Sequence, residues 1–293
     1  MEKKFFYLVL VMFAFYSFFG LINFGVNGTP NNSNDFEFHF DRINTLDDRD
    51  YPILYHQLFS VFSFDAFWFY FVNVVLIIIV IPLLLYWITK TGWSIVLYFF
   101  GVSLPHLLLY GATYPQALVL VLFLVYVLKR RNLLLLFVFG CLAFFIHSSG
   151  VRLFVLVLFC ELASWVWERF FQKKFMVFVK KWGLCPVAVL NVSRISSPVY
   201  FVKFVVYHVC FPLWFFAVQN LQVFYVGLIV LPFLFAVNDA RVLSVVQLSL
   251  IILASRPVSE FKYKKCLLGL LVFYFFMFVL DFVWGSWVMA SFF

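Results

Sequence analysis

From Phe5 to Phe24 the chain carries no charged residue, and from Ala66 to Thr89 it again carries none. Runs of this length constrain the fold more than any other feature. About twenty apolar residues wound as an α-helix cross the hydrocarbon of a bilayer. Inside hydrocarbon every backbone amide must find its partner within the protein, which restricts spanning segments to helices or closed barrels. The composition extends the argument to the whole chain. It is 66% hydrophobic and only 12% charged, with a mean hydropathy of +1.04. Ordinary soluble domains carry about 25% charged residues, so this chain could not cover a water-exposed surface. It belongs to the membrane class.

The formal net charge of +8 would suit a nucleic-acid binder if the cations shared one solvated groove. They do not. They fall in short clusters between apolar runs, as cytoplasmic loops do under the positive-inside rule, and no nucleic-acid partner is expected. Cys141, Cys160, Cys185, Cys210 and Cys266 lie in apolar stretches without CxxC spacing, and read as small buried hydrophobes. The N-terminal run follows Glu2, Lys3 and Lys4, is long for a signal-peptide core and lacks an A-x-A site. It reads as a retained first span.

These runs predict an all-α polytopic membrane protein with about ten or eleven transmembrane helices, residues 1–293 forming one transmembrane domain. The first span starts in the cytoplasm, and residues 26–65 form the first external loop, with interfacial helices. Span two covers Ala66 to Ile88, and span three follows the TGW turn and ends outside near His106 to Tyr110. Span four ends at Lys129-Arg130-Arg131, and span five ends outside at His147. Beyond Trp182 the pattern is ambiguous, since the run to Val192 is short and broken by Pro186. The orientation rests on charge. Fifteen of the 21 Lys and Arg fall on the side assigned to the cytoplasm. The expected location is the plasma membrane, with the N-terminus cytoplasmic and the active face extracytoplasmic.

On that topology the polar outliers gather at the outer edge. The polar stretch of that loop from Asn27 to His56 holds Asp35, Glu37, Asp41, Asp47, Asp48 and Asp50, six of thirteen acidic residues, together with His39, Arg42, Tyr51 and His56. His106, Tyr114, Gln116, His147, Arg152, Arg194, Asp239 and Arg241 fall on the same side. An ionisable residue at a membrane is rare and costly, which makes it a functional candidate. Carboxylates can serve as base or metal ligand, and guanidinium forks hold phosphate. Plainer readings stand beside these. Asp47, Asp48 and Asp50 suit a solvated turn, Arg152 suits a snorkelling side chain, and His208 suits an interhelical hydrogen bond.

Two motifs in the loop carry a family resemblance. The run Asp35-Phe-Glu-Phe-His39-Phe-Asp41-Arg42, followed by Tyr51-Pro52-Ile-Leu-Tyr-His56, resembles the first external loop of the GT-C glycosyltransferase superfamily. The stretch LVYVLKRRNLLLLFVFGCLAFFIHSSG is similar to polysaccharide polymerases of the EpsG type. Asn238-Asp239-Ala240-Arg241 resembles the late Arg-containing helix start of GT-C enzymes. The resemblance implies a GT-C-like bundle with a catalytic first external loop. It implies a transferase that moves a sugar from a polyprenyl-phosphate-linked donor to an acceptor hydroxyl on a glycan or lipid, among membrane lipids. Asp35 would be the catalytic base or a metal ligand, with His39 sharing a divalent metal ion if one is used. His39, Arg42, Tyr51, His56, His147, Arg194 and Arg241 would bind substrate, Arg241 holding the lipid phosphate. The alternatives are a repeat-unit polymerase and a secondary transporter or flippase, the last of which would place polar groups near the bilayer midplane.

Overall fold

The computed structural model describes residues 2–27, 40, 41, 43, 53–60, 65–110, 114–146, 148–170, 211–234 and 240–284, all helical or in turns, with no strand among them. The helices are α1 (Lys3–Asn27), α2 (Ile53–Ser60), α3 (Ala66–Val74), α4 (Ile81–Thr89), α5 (Trp93–Phe100), α6 (Leu104–Tyr110) and α7 (Tyr114–Leu128). They continue as α8 (Leu133–Ile146), α9 (Ser148–Phe170), α10 (Phe211–Ala217), α11 (Val223–Leu234), α12 (Ala240–Glu260) and α13 (Lys264–Trp284). A π-helical stretch, Val75–Val80, joins α3 and α4 into one continuous rod.

Among the described residues three helical segments are long and apolar enough to cross a membrane: Lys3–Ile22, Ala66–Thr89 and Gly150–Trp167. The outer faces agree with that reading. Leu133, Leu134 and Phe137 of α8 and Val155, Phe159 and Leu162 of α9 are exposed, an apolar surface that a soluble protein rarely shows. Cys141 and Cys266 lie on such faces and are exposed, unlike the buried Cys160. An apolar run in a lipid-facing bundle need not be buried in protein. The third expected span is not one rod. It breaks at Gly101, Val102 and Ser103 into α5 and α6.

The core centres on α12. Every residue from Ser244 to Ser255 is buried, and the helix packs against α4, α5, α9, α10 and α11. Close packing elsewhere uses glycine. A Cβ on Gly150 would collide with the Ala143 carbonyl across the α8–α9 contact, so the small residue sets how near those helices come.

Two prolines inside these helices show how the bundle satisfies its backbone. Ile81 donates to the Leu76 carbonyl in the π pattern, so the next residue, Pro82, has no N–H for Ile77. The Tyr98 hydroxyl donates to the Ile77 carbonyl instead, at 2.8 Å. Pro257 likewise frees the Leu253 carbonyl within α12, and Asn220 Nδ2 approaches that oxygen at 3.5 Å. Each gap in a helical ladder is filled by a side chain from a neighbouring segment, as a low-dielectric setting requires.

The contacts also sort the bundle into two ends. A Cβ on Gly92 would overlap the Phe5 ring, which places the start of α1 beside the α4–α5 turn at Lys90. Gln247 of α12 bonds Ser103 after α5, and Gln116 at the start of α7 reaches Ser244 at the start of α12. Hence α5 runs antiparallel to α12 and α7 parallel to it. Lys3, Lys4, Lys90, Lys129, Arg130, Arg131, Arg256 and Lys262 therefore gather at one end. Two of the tight turns there use cations in left-handed conformations, Lys90 (φ 58) and Arg131 (φ 73), where positive charge suits a helix C-terminus. The α2 helix, Asp65 and Tyr114 lie at the other end.

Candidate functional site

At the end opposite the cations, the local sequence anchors the described parts of residues 26–65 to the bundle. Asp65 caps α3 by accepting from the Trp68 amide at 2.9 Å, which fixes where the loop ends and the long rod begins. In α2 the chain alternates exposure. Tyr55 and His56 are buried, whereas Gln57 and Leu58 are exposed. The helix packs against α8. The Tyr55 hydroxyl donates to Asn73 Oδ1 at 3.2 Å, and Asn73 Nδ2 donates to the Phe69 carbonyl at 2.9 Å. Burial pushes the Tyr55 hydroxyl well above its ordinary range, with the Asn73 bond pulling the other way. It is a neutral donor at physiological pH.

The Phe69 ring gathers further aromatic contacts at this end. It meets Phe40 at 6.2 Å, Tyr55 at 6.3 Å and Tyr114 at 5.5 Å, and Ile43 is buried at 4% exposure. Two parts of residues 26–65, around Phe40–Ile43 and along α2, therefore rest on the helices instead of standing off in solvent. Deeper in, Tyr16 Oη and His106 Nε2 lie 3.2 Å apart, and Tyr70 donates to the Tyr16 carbonyl at 3.1 Å. Gln247 donates to Ser103 at 3.0 Å. The interior beneath the loop is a layer of neutral polar pairs.

Of the residues read from sequence as catalytic, metal-binding or substrate-binding, Asp35, His39, Arg42, Tyr51, His147 and Arg194 lie outside the described residues. His56 sits under α2 at 6% exposure, a position that suits an anchor of the loop as well as a substrate contact. Arg241 occupies the first turn of α12, three residues before Ser244, and its side chain lies outside the described set. Arg152 is exposed on α9, in keeping with the snorkelling reading. Among the described residues no group of three or more His, Cys, Asp or Glu could hold a metal ion. The Asp35–His39 metal reading lies outside them.

Sequence reading missed the one inward-facing charge cluster among the described residues. Glu161 of α9 accepts from the Tyr126 hydroxyl at 2.6 Å and from Arg130 Nε at 2.8 Å. Arg130 Nη2 donates to Ser164 at 2.8 Å, and the guanidinium lies 4.3 Å over the Phe224 ring. The pair is 18% and 13% exposed. Arg130 reads in sequence as part of a solvated loop marker, yet it ties α7, α9 and α11 together. The signal was the isolated acid in an apolar span. Comparison of the chain with protein-family profiles, with curated proteins and with solved structures gives no match.

Proposed function

We propose that the chain is a membrane glycosyltransferase of GT-C type that uses a polyprenyl-phosphate-linked sugar at the extracytoplasmic face. The observation that carries this reading is the seating of α2 on the bundle, with Tyr55 bonded to Asn73 and His56 buried. An anchored loop can hold a carboxylate over the end of the helices, which a free loop cannot do. The start of α12, with Arg241 one turn before the Gln116–Ser244 contact, belongs to that same end.

In the proposed reaction the acceptor hydroxyl attacks the anomeric carbon and gives its proton to Asp35. The bond from that carbon to the phosphate oxygen breaks, and the electron pair leaves with the lipid phosphate, which Arg241 holds through its guanidinium. Donor and acceptor are a lipid-linked sugar and a glycan or lipid hydroxyl, and joining of lipid-linked repeat units is the same chemistry with a longer donor. Asp35→Asn is expected to abolish release of polyprenyl phosphate from a lipid-linked sugar panel, with the protein still present at wild-type abundance. Full turnover in Asp35→Asn would reject the assignment.

A second reading, a lipid-linked substrate flippase, draws on the neutral polar pairs and the π-helical stretch inside the bundle. Reconstituted vesicles separate the two. A flippase moves labelled lipid between leaflets without cleaving it, and a transferase cleaves it.

A further inference from the structure

At the basic end, the 3-10 turn Val218–Asn220 after α10 and the α12–α13 connection enclose an open cleft of about 480 Å³. That volume lies within the range of about 300–1,000 Å³ typical of small-ligand sites. Gln219, Asn220, Arg256, Glu260, Phe261 and Lys262 line it. The two cations outweigh the single carboxylate, and Lys264 and Lys265 follow at once in the chain.

The charge alone is what the positive-inside rule would leave anywhere on this side. The disposition of the donors is more specific. Arg256 engages Glu260 through Nε alone, at 3.3 Å with both side chains largely exposed, so its two terminal amino groups have no partner among the described residues. Lys262 forms no ion pair among them and lies 5.8 Å from the Tyr263 ring. Gln219 makes no hydrogen bond among them, and Asn220 spends one amide donor weakly on the carbonyl that Pro257 leaves open. Beyond Lys265 the chain turns apolar, and cations that flank an apolar run characteristically sit among headgroups.

We propose that this cleft binds a phosphate group, with the Arg256 guanidinium and the Lys262 ammonium as its principal donors and the Asn220 and Gln219 amides beside them. The two possible sources are a phospholipid headgroup and a soluble phosphate. Arginine suits this role because its planar fork can give two parallel bonds to one phosphate. The inference is independent of the sugar-transfer reading, since it concerns the opposite end of the bundle.

The test uses the full chain in a neutral detergent, with native mass spectrometry and titration of short-chain phosphatidylglycerol, short-chain phosphatidylcholine and inorganic phosphate. The expected result is one saturable phosphatidylglycerol site, weakened by salt and weakened roughly tenfold by Arg256→Gln and by Lys262→Gln. Arg256→Lys should recover only part of the loss. Lys90→Gln removes equal charge from the same end outside the cleft and should leave binding intact. Competition by inorganic phosphate at similar concentration assigns the site to soluble phosphate, and its failure assigns the site to the lipid. Unchanged binding in the Arg256→Gln, Lys262→Gln double variant would overturn the proposal, as would an equal loss in Lys90→Gln. Both replaced side chains are exposed, and retention of helical circular dichroism confirms that folding is intact.

Discussion

The two ends of this bundle solve the same problem by different chemistry. Near the basic end an arginine and a glutamate are drawn inward, bonded to each other at 2.8 Å and to Tyr126 and Ser164. At the α2 end the inward polar groups are neutral: Tyr55 with Asn73, Tyr16 with His106, and Gln116 with Ser244. A charge taken out of water is costly unless paired and hydrogen-bonded, so the ionic cluster is an all-or-nothing unit. Neutral pairs cost less to bury and less to lose. The difference teaches where rigidity and where adjustment reside. The basic end locks α7, α9 and α11, whereas the loop end rests on individually modest contacts.

Breaking one partner of the ionic cluster gives the largest expected effect. Glu161→Gln should destabilise the protein by about 3–5 kcal/mol, read as a fall in thermal midpoint in detergent. The paired replacement Arg130→Met with Glu161→Leu should recover most of it, and no recovery would show that the cluster does more than neutralise itself. Next comes Tyr98→Phe, which leaves the Ile77 carbonyl without its side-chain donor beside Pro82 and should cost about 1–3 kcal/mol. A cost near zero would mean that the π-helical stretch rearranges to satisfy itself. Smallest is Tyr55→Phe at the loop end, expected at about 1 kcal/mol. Its sharper readout is proteolysis within residues 26–65, which should accelerate while the rest of the bundle stays protected.

Much of this organisation could be read from residues alone. The long rods α1 and α3–α4 follow from uncharged runs, α9 follows from an apolar run that Arg152 and Glu161 interrupt, and the gathering of Lys3, Lys90, Arg131 and Arg256 at one end follows from charge clusters between them. Three features escaped. Glu161 was hidden because a lone acid in a span gives no sign of its partner, which here comes from a turn that looks solvated. Tyr98 and Asn220 were illegible as supports because the backbone carbonyls they serve are freed by prolines distant in sequence. The break between α5 and α6 was announced only by Gly101 and by Pro105 in the first turn of α6, signals that an otherwise uncharged run overshadowed. Of the site, Tyr51-Pro52-Ile-Leu-Tyr-His56 marked the anchored segment, but the anchoring runs through Tyr55, which its neighbours in the motif overshadowed. Asn73 completes that bond and was visible only as an amide inside an apolar run.

The central claim is that the α2 end and the basic end face opposite sides of a membrane, with α2 outside. Cysteine accessibility tests it directly. In a background with all five cysteines replaced by serine, Gln57→Cys on α2 and Lys264→Cys at the start of α13 are treated in intact cells with a membrane-impermeant maleimide. The account predicts labelling of Gln57→Cys in intact cells and of Lys264→Cys only after permeabilisation. Labelling of both from the same side, or of Lys264→Cys alone in intact cells, would contradict it.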